Sequence, residues 1–228
     1  MSKDVSPRKF KRNFTVIVEG NIGSGKTTFL NYFQQFNGVS VLAEPVDKWR
    51  NCSGHNLLEK MYSDPKKWSF TFQSYVQLTM LQLHTLKTAD PIKLMERSIY
   101  SVRNCFVEQM ARSKCLDECS VSVFDEWFKW TKENCDLSID LIVYLRTSPE
   151  IAYERTVKRN RPEEQTVSFN YIRDIHNMHE DWLYHKTLFK CPAPVLIIDA
   201  NLDKSIIQEE YLKCKTQIFT NRAFKAIA

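Results

Sequence analysis

The segment Gly20-Asn21-Ile22-Gly23-Ser24-Gly25-Lys26-Thr27 constrains this chain more than any other stretch of its 228 residues. It fits G-x-x-x-x-G-K-[ST], it follows directly on the β-branched run FTVIV at 14–18, and a helical pattern begins at its end. A strand that turns through glycines into a helix N-terminus offers an anion converging backbone N–H groups and the positive end of the helix dipole. Lys26 then reaches the outer phosphates, and the Thr27 hydroxyl is a ligand for Mg²⁺. These eight residues and Thr28 are the candidate ATP- and phosphate-binding set. The whole chain holds only 5 glycines, and three of them fall here. Scarce glycine concentrated in one turn marks a place where backbone must approach something closely. The motif predicts a nucleoside triphosphate site and leaves the acceptor open.

The pattern around the motif alternates strand and helix. Apolar runs at 14–18, 39–43, 92–95, 140–145 and 195–198 read as buried strands. Helices are expected over 25–36, 65–86, 98–113, 121–135, 149 onward, 168–189 and after the last strand, with Pro149 at a helix start. Five apolar strands separated by helices, with the phosphate loop after the first, predict an α/β P-loop fold, a five-stranded parallel sheet covered by helices on both faces. Residues 1–13 are expected to be a basic flexible tail and 14–228 a single domain, with a charged flap at 155–164.

Composition excludes several classes. With 43% apolar and 26% charged residues the chain is neither disordered nor fibrous. No run approaches the ~18 apolar residues of a membrane span, so no membrane association is expected. No apolar stretch follows the start, which argues against secretion. The 7 cysteines are odd in number and scattered, as expected of reduced thiols. Cys115 and Cys119 lack the companions of a zinc site. A cytoplasmic placement follows, with a nuclear address or a worn mitochondrial presequence as the sharper readings of Lys3, Arg8, Lys9, Lys11 and Arg12. The net charge of +5 suits an anionic small ligand. His176 and His179 lie three apart, are not in HExxH order, and are expected to be structural.

In open α/β sheets ligands sit beyond the carboxyl ends of the strands. Glu44 ends the second strand, where a carboxylate can accept the proton of an attacking hydroxyl. Glu96-Arg97-Ser98 ends the third, where an acid and a guanidinium can hold a metal and a phosphate. Asp199 ends the fifth and competes with Glu96 for the metal-side role, a choice that strand order decides. On the long helix Gln73, Val76 and Met80 share a face. An amide among apolar residues can make two hydrogen bonds to a base edge. Arg155, Arg159 and Arg161 lie in the flap, where arginines can neutralise charge during phosphoryl transfer.

Taken together, IVEGNIGSGKTT, EPVDKWRN, LLEKMYSDPKKW, FQSYVQLTML, MERSIYS, DLIVYLRTSPEIAYER and HEDWL run in an order that resembles the deoxyribonucleoside kinases. The resemblance spans residues 14–200. It implies an α/β P-loop kinase fold and transfer of the γ-phosphoryl group of ATP to the 5′-hydroxyl of a deoxynucleoside, with Mg²⁺, by a homodimer. Thymidine triphosphate is expected to inhibit, since its base fits the nucleoside pocket while its phosphates reach back to the loop. By position, Glu44 resembles the catalytic base, Arg97 the guanidinium beside the 5′-oxygen and Glu96 the metal-side carboxylate. Gln73 resembles the base-gripping amide. Phe72 and Phe106 would pack the base, and Trp49, Met61, Val76, Met80 and Val102 would wall its pocket. Tyr62 and Glu164 resemble the pair on the sugar 3′-hydroxyl. Insect members carry an additional flap arginine where Val157 stands, and an alanine where Val102 stands. In the deoxycytidine kinase branch the positions of Met80 and Val102 hold arginine and aspartate. Two apolar residues instead predict that thymidine and deoxycytidine are favoured over purines. The rival readings are another P-loop nucleotide kinase, or a nucleic-acid-binding ATPase. No guanine-reading [NT]KxD and no RNA-binding motif is present, so no nucleic-acid partner is expected.

Overall fold

The computed structural model describes residues 12–227. Five strands, β1 (Phe14–Glu19), β2 (Val39–Leu42), β3 (Ile92–Glu96), β4 (Leu141–Arg146) and β5 (Val195–Asp199), form one sheet in the order β2-β3-β1-β4-β5, all parallel. The expected α/β P-loop architecture is therefore present. The two layers read directly off the alternation along β4. Val143 and Leu145 pack with Phe29, Leu30 and Phe33 of α1 (Lys26–Gln34) and with Tyr211 and Ile218 of α10 (Lys204–Ile227). Ile142 and Tyr144 face the other way, onto Met178, Trp182 and Leu183. Those residues lie on α9 (Phe169–His179) and a π-helical turn at Glu180–Tyr184.

Local chemistry sets the helix ends. Asp64 caps α4 (Pro65–Thr85), accepting from Lys67 N, with Pro65 at the first helical position. No glycine stops α4. Lys93 rises from the middle of β3 and donates to the carbonyls of His84 at 2.6 Å and Leu86 at 2.8 Å, placing a cation on the negative end of the helix. Asp117 caps α7 (Glu118–Asn134), and Ser148 caps α8 (Pro149–Arg159).

Three sequence expectations change. Two short helices, α2 (Val46–Arg50) and α3 (Leu57–Ser63), lie where periodicity gave no signal, because each is under two or so turns long. The helix expected over 98–113 is α5 (Ile99–Ser101), a π-helical turn Val102–Val107 and α6 (Glu108–Arg112). The helix expected to reach 189 ends at 184. The basic start, with Lys3, Arg8, Lys9 and Lys11, lies outside the described residues. Arg12 and Asn13, assigned to that tail, are fastened: Arg12 pairs with Asp140 at 2.8 Å, and Asn13 donates to the carbonyls of Thr88 and Asp90. All seven cysteines are free thiols.

Candidate active site

A cavity of about 280 Å³ opens at the carboxyl ends of β1, β2 and β3, small enough for one modest ligand. Ile22, Gly23, Lys26 and Thr27 form its floor. Gly25 has φ 90 and heads α1 in the left-handed region, with nothing within 4 Å of where a side chain would begin. That is an open cradle of backbone N–H groups, suited to an anion. Gly23 (φ 77) is glycine for another reason, since a Cβ there would fall on the Ala152 carbonyl oxygen of α8. Asn21 is likewise an anchor, donating to Ile172 O of α9 at 2.8 Å. Gly20, Asn21, Ser24, Gly25 and Thr28 are off the cavity surface, although the Ser24 hydroxyl is buried without a partner.

Lys26 is buried and folds onto the loop, donating to Asn21 O at 2.7 Å and Gly20 O at 3.2 Å. Burial pulls its ammonium pKa down, and Arg97 adds to the fall. The Thr27 hydroxyl donates to Glu96 Oε1 at 3.4 Å. A hydroxyl and a carboxylate side by side at the phosphate end are hard oxygen donors of the kind Mg²⁺ takes. The strand order decides between the two acids. β3 lies next to β1 and brings Glu96 to the loop, whereas β5 is an edge strand whose Asp199 accepts from Asn201 instead.

Arg97 and Glu44 form the centre. Arg97 Nε lies 2.8 Å from Glu44 Oε1, and both are largely buried. Burial raises the Glu44 pKa, Arg97 opposes this, and Glu96 adds to it. Arg97 has φ 58, a conformation a non-glycine residue holds only when its surroundings insist. Its guanidinium stacks 4.7 Å above Phe106, and one of its nitrogens is buried without a partner. Beneath it lies Glu19, the last residue of β1, fully buried and accepting from Ser98 Oγ at 2.6 Å. Burial lifts the Glu19 pKa to about 7 against the pull of Arg97 and Ser98. The sequence gives no sign of Glu19 beyond a carboxylate closing an apolar run.

The far end is a slot. Trp49 donates to Thr79 at 2.9 Å and meets Phe72 edge-on at 5.9 Å. Val76, Val102, Met61 and Phe106 complete the apolar wall. Gln73 lines it at 2% exposure, and its carbonyl oxygen is buried with no partner. Such an orphan is rare in a folded protein and marks a place for a ligand's donor. Met80, expected on this wall, is fully buried behind it in the cluster of Val76 and Val102. It shares the stripe of Gln73, but seven residues of helix carry it about 10 Å further along, past the cavity.

Glu164 reaches the cavity from the flap, held by Arg159 at 2.7 Å and Arg161 at 3.3 Å. Tyr62 faces it from α3, and burial raises its pKa. Tyr171, which no motif marked, also lines this side and meets Tyr62 edge-on at 6.3 Å. Arg155 is not brought in. It lies on α8 one turn before Arg159, which sets it about 6 Å further from the cavity, and it donates to Ala200 O at 2.7 Å. Val157, also on α8, is exposed. His179 stacks on Tyr144 in the core, away from the cavity.

The pattern of the deoxynucleoside kinase family matches residues 16–221. The chain is 46% identical over 217 residues to mitochondrial thymidine kinase 2 of Homo sapiens, covering 95% of this chain and 82% of that protein. It is 35% identical over 206 residues to a probable deoxycytidine kinase of fowlpox virus, covering 86% of each. It is 34% identical over 218 residues to deoxycytidine kinase of Homo sapiens, covering 82% of this chain and 84% of that one.

Proposed function

Because the chain belongs to the deoxynucleoside kinase family and is an ATP-dependent nucleoside phosphotransferase, we propose that its acceptor is the 5′-hydroxyl of a deoxynucleoside lying between Gln73 and Glu44, with thymidine and deoxycytidine favoured. The observation that carries this is the Gln73 amide, buried and half-satisfied, at the opposite end of one cavity from the phosphate loop. An amide offers one donor and one acceptor, and can meet thymine or cytosine. Val76 and Val102 beside it present no charge and suit a 5-methyl group, while the bulk of Val102 disfavours the larger purines. The two rival readings, another P-loop nucleotide kinase and a nucleic-acid-binding ATPase, have no support from the relatives.

The mechanism follows from the placement. Glu44 takes the proton of the 5′-hydroxyl as that oxygen attacks the γ-phosphorus. The bond to the bridging oxygen breaks, and ADP leaves with the electron pair. A carboxylate whose pKa is raised is a better proton acceptor than an ordinary one. Arg97 holds Glu44 in line and faces the developing charge, as do Lys26, Arg159 and Arg161. Thr27 and Glu96 are the residues that would hold Mg²⁺, which neutralises phosphate charge when bound. Tyr62 and Glu164 take the sugar 3′-hydroxyl.

Three further readings belong to the proposal. Thymidine triphosphate inhibits, its base in the nucleoside slot and its phosphates on the loop. The protein is a homodimer through α4 and α7, where Phe70, Leu78, Val123, Trp127 and Trp130 are exposed on adjoining helices, an apolar face of the kind that association covers. Among the described residues no helix is long and apolar enough to cross a membrane, and the enzyme works on its substrates in a reducing compartment. The deciding experiment is a competition assay of the four deoxynucleosides with ATP. Thymidine and deoxycytidine are expected to dominate; exclusive use of deoxyadenosine or deoxyguanosine would overturn the pocket reading.

A further inference from the structure

The flap ends in two adjacent carboxylates that face different partners. Glu164 faces the cavity and takes Arg159 and Arg161, both from the flap's own side. Glu163 turns onto the two short helices of the nucleoside end. Arg50, the last residue of α2, donates Nε to Glu163 Oε1 at 2.8 Å and Nη2 to Oε2 at 3.2 Å. Side-by-side pairing of this kind fixes orientation as well as distance. Arg50 holds the Glu163 carboxyl below the usual range, and Asn56 lies close enough to help. The Asn56 Oδ1 accepts from Glu59 N, capping α3. The Glu163 side chain is only 8% exposed, so the pairing is sheltered from water. One carboxylate thus joins the flap to α2, which carries Trp49, and the flap turn packs on α3, which carries Met61 and Tyr62.

We infer that Glu163, through Arg50 and against the cap of α3, is a positioning residue that sets the span between Tyr62 and Glu164 and thereby the recognition of the sugar 3′-hydroxyl. This rests on the reading that Tyr62 and Glu164 bind that hydroxyl. The two hang on different segments, Tyr62 on α3 and Glu164 on the flap. The arginines that hold Glu164 lie at the end of α8 and in the turn after it and do not fix it to α3. A hydroxyl bridged from both sides needs that gap kept within a few tenths of an ångström, because hydrogen bonds weaken steeply beyond about 3.2 Å. The paired bond from Arg50 to Glu163 ties the flap to α2, which packs on α3.

The test is steady-state kinetics of Arg50→Ala, Glu163→Ala and the double variant, with thymidine and with 3′-deoxythymidine as acceptors. Each single variant should raise the KM for thymidine about five- to twentyfold, the worth of a charged hydrogen bond. The KM for ATP and the KM for 3′-deoxythymidine, which lacks the hydroxyl in question, should stay within about twofold. The double variant should be no worse than the more affected single one, since both remove the same tie. Arg50→Lys, which keeps the charge and loses the paired geometry, should fall between and serves if an alanine variant does not fold. Equal losses with both nucleosides, or losses that multiply in the double variant, would overturn the inference. A wild-type enzyme that does not distinguish the two nucleosides overturns the sugar-site reading itself. Wild-type discrimination that survives unchanged in the variants overturns only the positioning role of Glu163.

Discussion

The two acid–arginine pairs of the site differ in how they are held. Arg97 and Glu44 sit at the ends of β3 and β2, 5% and 16% exposed, with Arg97 in a left-handed conformation over the buried Glu19. Arg50 and Glu163 join a short helix to the flap, and a third of the arginine is open to solvent. The first pair is gripped by the sheet and placed where charge must be aimed. The second is gripped only by its own segments and tunes how two walls meet. On the proposed reading the contrast assigns chemistry to strand ends and recognition to the helices and the flap that wall the far end of the cavity. Disturbing the former should cost turnover, and disturbing the latter should cost affinity.

The largest test of that division is Lys26→Ala. It should lower turnover by roughly 10³ or more while circular dichroism and the melting transition stay near wild type. Retained activity would remove the phosphate loop from the mechanism. Next, Glu44→Gln should reduce kcat by roughly 10²–10⁴ with nucleoside affinity kept. A base works deprotonated, so kcat/KM rises with pH through the Glu44 pKa. Burial raises that pKa, so the acid limb should lie above the ordinary carboxylate range and vanish in the glutamine variant. A limb unchanged in Glu44→Gln would assign it to another group. On the recognition side, Gln73→Ala should raise the KM for thymidine roughly tenfold to a hundredfold and leave the KM for ATP unchanged. Isothermal titration with each substrate separates the two.

Much of this was legible beforehand, and what was not has physical reasons. The five strands and the loop carry strong local signals, apolar runs and a fixed glycine spacing. Glu44, Arg97 and Gln73 were legible through their motifs. The choice of Glu96 over Asp199 was not, because strand order is set by packing across the sheet rather than by any segment's composition. Met80 misled because helical spacing reports a face and not how far along it a cavity extends. Arg155 misled because a charged stretch read as loop is the last turn of α8. Tyr171 and Glu163 gave no local signal at all, since their roles lie in contacts with residues about a hundred positions away.

The remaining expected effect is on stability rather than on catalysis. Glu19 has its pKa raised to about 7 in the folded protein against 4.5 ordinarily. Folding therefore takes up a proton between those values, and its contribution to stability falls as pH rises from about 4.5 through 7. Glu19→Gln removes that dependence, and its melting temperature should gain on the wild type steadily from pH 5 to pH 8. The difference corresponds to at most about 3 kcal/mol. Parallel pH curves for the two proteins would show that Glu19 keeps its charge.

Gly23 has a mechanical consequence. Its missing side chain lets the phosphate loop seat directly on the backbone of α8 at Ala152, and α8 ends at Arg159. The loop is thus the footing of a strut about seven residues long whose tip is a flap arginine. The spacing between the phosphate loop and the arginine at the tip is therefore set by one rigid helix with no soft joint between.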